Sequence, residues 1–198
     1  MPTRLQLGFD CGIIVERSKL RVLYEVRNQS GSDVGLFNRL APLEADKPPL
    51  PAPDNAYLDF DSGLLEVMKQ VLPVPGGMQV SAQTVPLVSK VSKGERFREE
   101  FAVALPAKVN NPMRQMVLTA ANRGYIIVAE HPAEAHQVRV CIGAFAIEPG
   151  MRLIEESGAF RIWPPGPAAD GQILLSKIIN LSHAVPVLAF AARKIESP

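Results

Sequence analysis

The residues best suited to chemistry in this chain are three histidines, His131, His136 and His183, and two cysteines, Cys11 and Cys141. A structural or catalytic zinc needs three or four such ligands at matched spacing. Here the cysteines stand far apart, and His131 and His136 flank Pro132 in a turn-like stretch that gives their rings no common direction. They read as solvated turn histidines, and the cysteines, set in apolar strand-like runs, as packed thiols. The two could pair only if their Cα atoms lie about 4.4–6.8 Å apart, and free buried thiols explain the count as well. Among the carboxylates, Glu99/Glu100 and Glu155/Glu156 are neighbours that a strand would turn to opposite faces, so neither pair shares a proton. Asp59 and Asp61 could share a face, but their setting is that of a solvated hairpin end. No phosphate-binding loop, dinucleotide fingerprint, His-Glu-x-x-His, Cys-x-x-Cys or Gly-x-Ser-x-Gly is present. The expectation is a protein with no catalytic residue, no metal and no cofactor. The triplets Asn28-Gln29-Ser30 and Asn180-Leu181-Ser182 matter only in a glycosylating pathway.

Composition narrows the partners. Lys and Arg number 21 against 20 Asp and Glu, a net charge of +1, without the basic excess that phosphate neutralisation demands of nucleic-acid binders. No stretch reaches the ~18 uncharged apolar residues of a membrane span. The start, Met1–Asp10, lacks the apolar core of a secretory leader, which points to a cytoplasmic protein, or to an exported one whose leader has been removed.

The elements that must carry any site are strands. In Lys19–Asn28, Leu20, Val22, Tyr24 and Val26 alternate with Arg21, Leu23, Glu25 and Arg27, the period of a half-buried strand. Arg4–Phe9 alternates in the same way before a bend at Gly12. Asn28–Asp33 is dense in turn formers, so Val34–Leu40 is expected to fold back on Lys19–Asn28 as a hairpin. Ala56–Phe60 and Leu64–Leu72 flank Asp61-Ser62-Gly63; the second arm also fits a short helix, and the hairpin is preferred because the first arm needs a partner. Strands are further expected around Pro86 within Gln79–Val91, at Glu95–Leu105, at Tyr125–Glu130 and Gln137–Ile147 on either side of a His131–Ala135 turn, at Met151–Ile154 with Ala159–Trp163, and at Gln172–Leu181 with Val185–Ala191. One helix is signalled over Asn111–Arg123, by a capping Asn111, Pro112 at the first position and Gly124 at the end. In a sandwich such a helix covers an open end of the core. Two proline-rich connections, Ala41–Asn55 and Pro164–Pro167, cannot lie inside a sheet. Close strand spacing with turn clusters favours one antiparallel β-sandwich domain over 1–198.

Binding is therefore the expected activity. Trp163 stands beside Pro165 in the second proline loop, Pro49 and Pro51 lie in the first, and Tyr57 follows it. Aromatics beside rigid loops can form peptide or carbohydrate platforms, although a tryptophan there can equally close the end of the core. The run Leu20–Val26 ending in Asn28, then Val34–Leu40, and later Val91-Ser92-Lys93-Gly94-Glu95-Arg96-Phe97 with Phe101–Pro106, resembles immunoglobulin-like and fibronectin III-like sandwiches, including the intracellular proteinase-inhibitor type of bacterial β-sandwich. The likeness covers about half of the chain. It departs from the immunoglobulin pattern where Trp163 follows both cysteines and Arg139 stands two residues before Cys141. The resemblance implies an immunoglobulin-like antiparallel sandwich with one short helix and no inherited site. The leading expectation is a non-enzymatic module that binds another protein, or itself, through an exposed edge strand or the proline loops. The alternatives are a carbohydrate- or small-ligand binder using Trp163, and a protease inhibitor presenting Leu50–Asn55.

Overall fold

The computed structural model describes residues 5–41, 52–79 and 84–195. The fold is mostly β, 61% strand and 9% helix, and sandwich-like, with open sheets. A three-stranded sheet takes β1 (Leu7–Val15), β2 (Lys19–Asn28) and β7 (Arg96–Ala104), in the order β1-β2-β7. A nine-stranded sheet runs β10 (Arg152–Glu156), β11 (Ala159–Trp163), β6 (Leu87–Val91), β3 (Val34–Arg39), β9 (Tyr125–Ala146), β12 (Ile173–Lys194) and β8 (Ala107–Lys108), and the hairpin of β4 (Tyr57–Asp61) and β5 (Leu64–Lys69) joins it where β5 lies parallel to β9.

Alternation explains which faces meet. Leu20, Val22, Tyr24 and Val26 of β2 and Phe101 and Val103 of β7 pack against Leu36, Leu65, Val67, Val138, Val140, Ile142 and Ala144 of the large sheet, forming the principal core. The opposite face of the large sheet holds two smaller clusters. In one, Phe37, Phe145, Val88 and Ile162 lie beneath Ala168 of α2 (Pro165–Asp170); in the other, Met113 of α1 (Pro112–Ala121) packs on Tyr57, Met68, Leu72 and Cys141.

Several sequence expectations hold. β2 has the predicted bounds, the Leu64–Leu72 arm is a strand over Leu64–Lys69 and not a helix, and the Asn111 side chain accepts from the Met113 and Arg114 N–H groups to start α1. Others are corrected. β3 does not form a hairpin with β2: the Asn28–Asp33 turn crosses from one sheet to the other, and β3 becomes a central strand between β6 and β9. That is why it is buried on both faces. The His131–Ala135 turn does not exist, because β9 runs unbroken for 22 residues against the equally long β12. Pro132 and Pro186 are tolerated because each lies where its strand has little or no second neighbour among the described residues, so the missing donor can face away from the ladder. β1 continues through Gly12 to Val15, a single strand follows Pro86, and the Pro164–Pro167 loop is the start of α2. α1 buries no residue fully, so it touches the sheet through Met113 without closing the core.

Candidate functional site

The sequence-predicted binding residues separate in space. Pro49 and Pro51 lie outside the described residues, as does Leu50, whereas Ala52–Asn55 of the expected inhibitory loop are described. Tyr57 is not a surface aromatic: it is buried against Leu40, Met68 and Leu72, and it lines a cavity of about 270 Å³ with Asp54, Asn55 and Ala102. Burial raises its phenol pKa above the usual value. Trp163 is 57% exposed, so it does not close the core. Pro165 opens α2 immediately behind it.

The chemical candidates resolve as follows. His131, His136 and His183 are exposed, the first two on strand and not in a turn, and among the described residues no group of three or more metal-ligating side chains stands together. Cys11 and Cys141 are both buried and free, Cys11 in the core between the sheets and Cys141 on the far face of the large sheet. Burial pushes the Cys11 thiol up to about 12 and the Cys141 thiol to about 11. Neither forms thiolate near neutrality, and the thiolate is the reactive species. The expected outcome is that a water-soluble aromatic disulfide reagent at mildly alkaline pH labels neither thiol in the native protein and both after unfolding, read as released chromophore. Prompt native labelling would refute the burial. Asp59 is not solvated: it is buried, accepts from the Phe60 N–H at 2.8 Å and from Asn111 Nδ2 at 3.0 Å, and so anchors the cap of α1 to β4, while Asp61 is exposed.

The most concentrated chemistry is a cluster that the motif search passed over. On β5, Lys69 has the same parity as Leu65 and Val67 and points between the sheets, fully buried. On β7, Glu99 has the parity of Phe97, Phe101 and Val103 and meets it from the other sheet. Lys69 Nζ donates to Glu99 Oε2 at 2.7 Å, to the Pro53 carbonyl at 2.5 Å and to the Asn38 carbonyl at 3.4 Å, and it lies 3.8 Å from the Phe101 ring centre. Glu99 also accepts from Arg39, from Asn38 Nδ2 at 3.1 Å and from the Tyr24 hydroxyl at 2.9 Å. Burial lowers Lys69 to about 8, against the opposing pull of Glu99, and raises the Tyr24 phenol, with Glu99 adding to the rise. A lysine near 8 between sheets invites a nucleophilic reading. Its three protons, however, already have three acceptors, so no lone pair faces a substrate. The cluster works as an ionic bolt between the sheets. The signal was present in the sequence: a charge on the apolar parity of each strand.

The exposed candidate is the β10–β11 hairpin. Its inner face, Leu153, Phe160 and Ile162, packs into the cluster of Phe37 and Phe145. Its outer face carries Ile154, 50% exposed, and Trp163, with Arg152, Arg161 and Glu156 around them. β10 ends the large sheet, and no strand lies on its other side among the described residues. Four other strands carry occupied or interrupted main-chain groups at their free sides. The Cys11 N–H on β1 donates to Asp10 Oδ1, the Ala102 N–H on β7 donates to Asp54 Oδ1, and Leu58 on β4 exchanges hydrogen bonds with Asn110 and Asn111. β12 is broken by the bulge between Asn180 and Val185 and by Pro186, and its Lys177 is held by Asp10 at 2.7 Å. Charges, bulges and prolines of this kind keep sheet edges from pairing.

No helix among the described residues is long and apolar enough to cross a membrane. No family model, curated protein or solved structure matches the chain.

Proposed function

We propose that this protein is a non-enzymatic interaction module of immunoglobulin-like sandwich type that takes an extended polypeptide strand onto the edge of β10. The observation that carries this reading is the contrast among the edges. β1, β4, β7 and β12 each have main-chain groups occupied or interrupted, whereas β10 presents an open edge beside half-exposed Ile154 and exposed Trp163. Main-chain pairing supplies affinity in such strand addition, and alternate side chains supply selectivity. Tryptophan is enriched among the residues that dominate binding energy.

Two variants test the reading without touching the core, Ile154→Asp and Trp163→Ala. Partners retained by the immobilised wild-type protein from its native extract are purified and titrated against all three forms. The expected result is at least a tenfold weakening with I154D, which is about 1.4 kcal/mol, and a smaller loss with W163A. Unchanged affinity in both variants would remove β10 as the binding edge.

A further inference from the structure

The β10 edge is complementary to itself, and we infer that its occupant is β10 of a second copy, paired antiparallel about a two-fold axis through Ile154. This inference rests on the edge reading above.

Hydrogen-bond parity selects the axis. Ser157 and Gly158, both at positive φ, form the tight loop between β10 and β11, with Glu156 opposite Ala159. The pair closing such a loop exchanges both of its hydrogen bonds, and the pattern alternates along the ladder. Glu156, Ile154 and Arg152 thus turn their main-chain groups towards β11, and Leu153 and Glu155 turn theirs to the free edge. An axis through Ile154 sets Leu153 of each copy opposite Glu155 of the other as hydrogen-bonded pairs. It sets Ile154 opposite Ile154, and Arg152 opposite Glu156.

Charge selects the same register. Arg152 is exposed and has no ion partner among the described residues. Glu156 receives Arg161 of its own hairpin through two hydrogen bonds of 2.8 and 2.9 Å, and its backbone position lies opposite Arg152 of the second copy in this register. In the Ile154-centred pair each Arg152 meets a Glu156 across the junction, twice by symmetry. Moving the axis to Glu155 would set glutamate against glutamate, which is unfavourable for directly opposed strand residues. Moving it to Leu153 would leave both arginines facing Ile154. The chosen register also brings the two half-exposed isoleucines together between the two exposed tryptophans, and a two-fold contact of this isologous kind is the commonest form of self-assembly.

The test uses the full chain and charge reversal. R152E alone and E156R alone each oppose like charges at both junctions, whereas a mixture of the two restores opposite charges at both. By size exclusion with light scattering, the wild type is expected at twice the 21.5 kDa chain mass, each variant alone at the single mass, and the equimolar mixture at twice the mass again. Should E156R fail to fold for want of its Arg161 pair, I154C gives an independent readout. Directly opposed residues of a non-hydrogen-bonded pair sit about 4.5 Å apart at Cα, within disulfide reach. Mild oxidation should therefore link I154C into a dimer on non-reducing gels, while Cys11 and Cys141 stay buried. A wild type that remains monomeric and an I154C that remains unlinked would overturn the inference, as would a mixture that fails to reassociate although both variants are folded. If the wild type is monomeric while I154D still loses a heterologous partner, the second copy falls and the edge reading stands. If I154D and W163A change no association of any kind, the edge reading falls as well.

Discussion

Replacing Lys69 by methionine is expected to destabilise the protein by about 3 kcal/mol, the lower end of the ~3–5 kcal/mol typical of breaking a buried ion pair. The loss comes from what stays behind. Glu99 would remain between the sheets with its Oε2 deprived of the ammonium, and the Asn38 and Pro53 carbonyls would lose a donor. Arg39 still reaches Glu99 and keeps the cost from the upper end of the range. In E99Q the orphan is Lys69 instead, and a similar loss follows. The double variant K69M/E99Q removes both charges, so its cost is expected to fall short of the sum by at least ~1 kcal/mol, as coupled neighbours do. Urea unfolding of the four proteins measures this cycle, and strict additivity would show that the two groups do not act as a pair.

The same lysine predicts a pH dependence. Unfolded, Lys69 titrates near 10.5; folded, burial brings it to about 8. Below about 8 both states hold the proton, and the folded state bears the full burial cost. Between about 8 and 10.5 the unfolded chain retains a proton that the folded chain has released, so this group's contribution to stability rises with pH, by at most ~1.4 kcal/mol per unit. K69M lacks the rise. The stability gap between wild type and K69M should therefore widen across that window, and the comparison cancels titration of the thiols and tyrosines common to both. A gap that stays constant or narrows would contradict a depressed lysine.

Gly35→Ala is the second large effect. Gly35 lies directly across the β3–β9 ladder from Phe145, whose ring lies over its Cα, so that an added β-carbon would fall within the ring atoms Cζ and Cε1. Phe145 cannot swing away easily, because it is fully buried and stacks on Phe37 with ring centres 4.7 Å apart. β3 cannot slide either, held by β6 on one side and β9 on the other. Overpacking a close-packed interior costs about 1–3 kcal/mol, sometimes more, and the upper end is expected here. The rescue is specific: F145L on its own leaves a void, but in G35A/F145L the shorter side chain makes room, and the double variant should be more stable than the summed losses imply. Thermal unfolding measures both. A G35A melting temperature equal to wild type would mean that the ring and the glycine are not in contact.

What the sequence determined by itself is local. The alternation of Leu20, Val22, Tyr24 and Val26 defined β2 because a strand's side chains have a period of two wherever it lies. Asp61-Ser62-Gly63 defined the β4–β5 hairpin because Ser62 and Gly63 sit at positive φ, which few residues other than glycine adopt readily. Asn111-Pro112 began α1 because the cap and the missing proline donor act within one turn. Parity even put Lys69 and Glu99 on the core side of their own strands. Tertiary structure decided the rest. Which sheet β3 joins, whether Pro132 interrupts β9, and whether Trp163 is covered all depend on neighbours that are distant in sequence and on which side of a strand they stand. The mostly β sandwich is the part the chain's own periodicity specified; that its sheets stay open is a tertiary result. The ionic bolt of Lys69 and Glu99, and the unguarded edge at β10, exist only because folding sets strands from distant parts of the chain beside one another, or leaves one with nothing beside it.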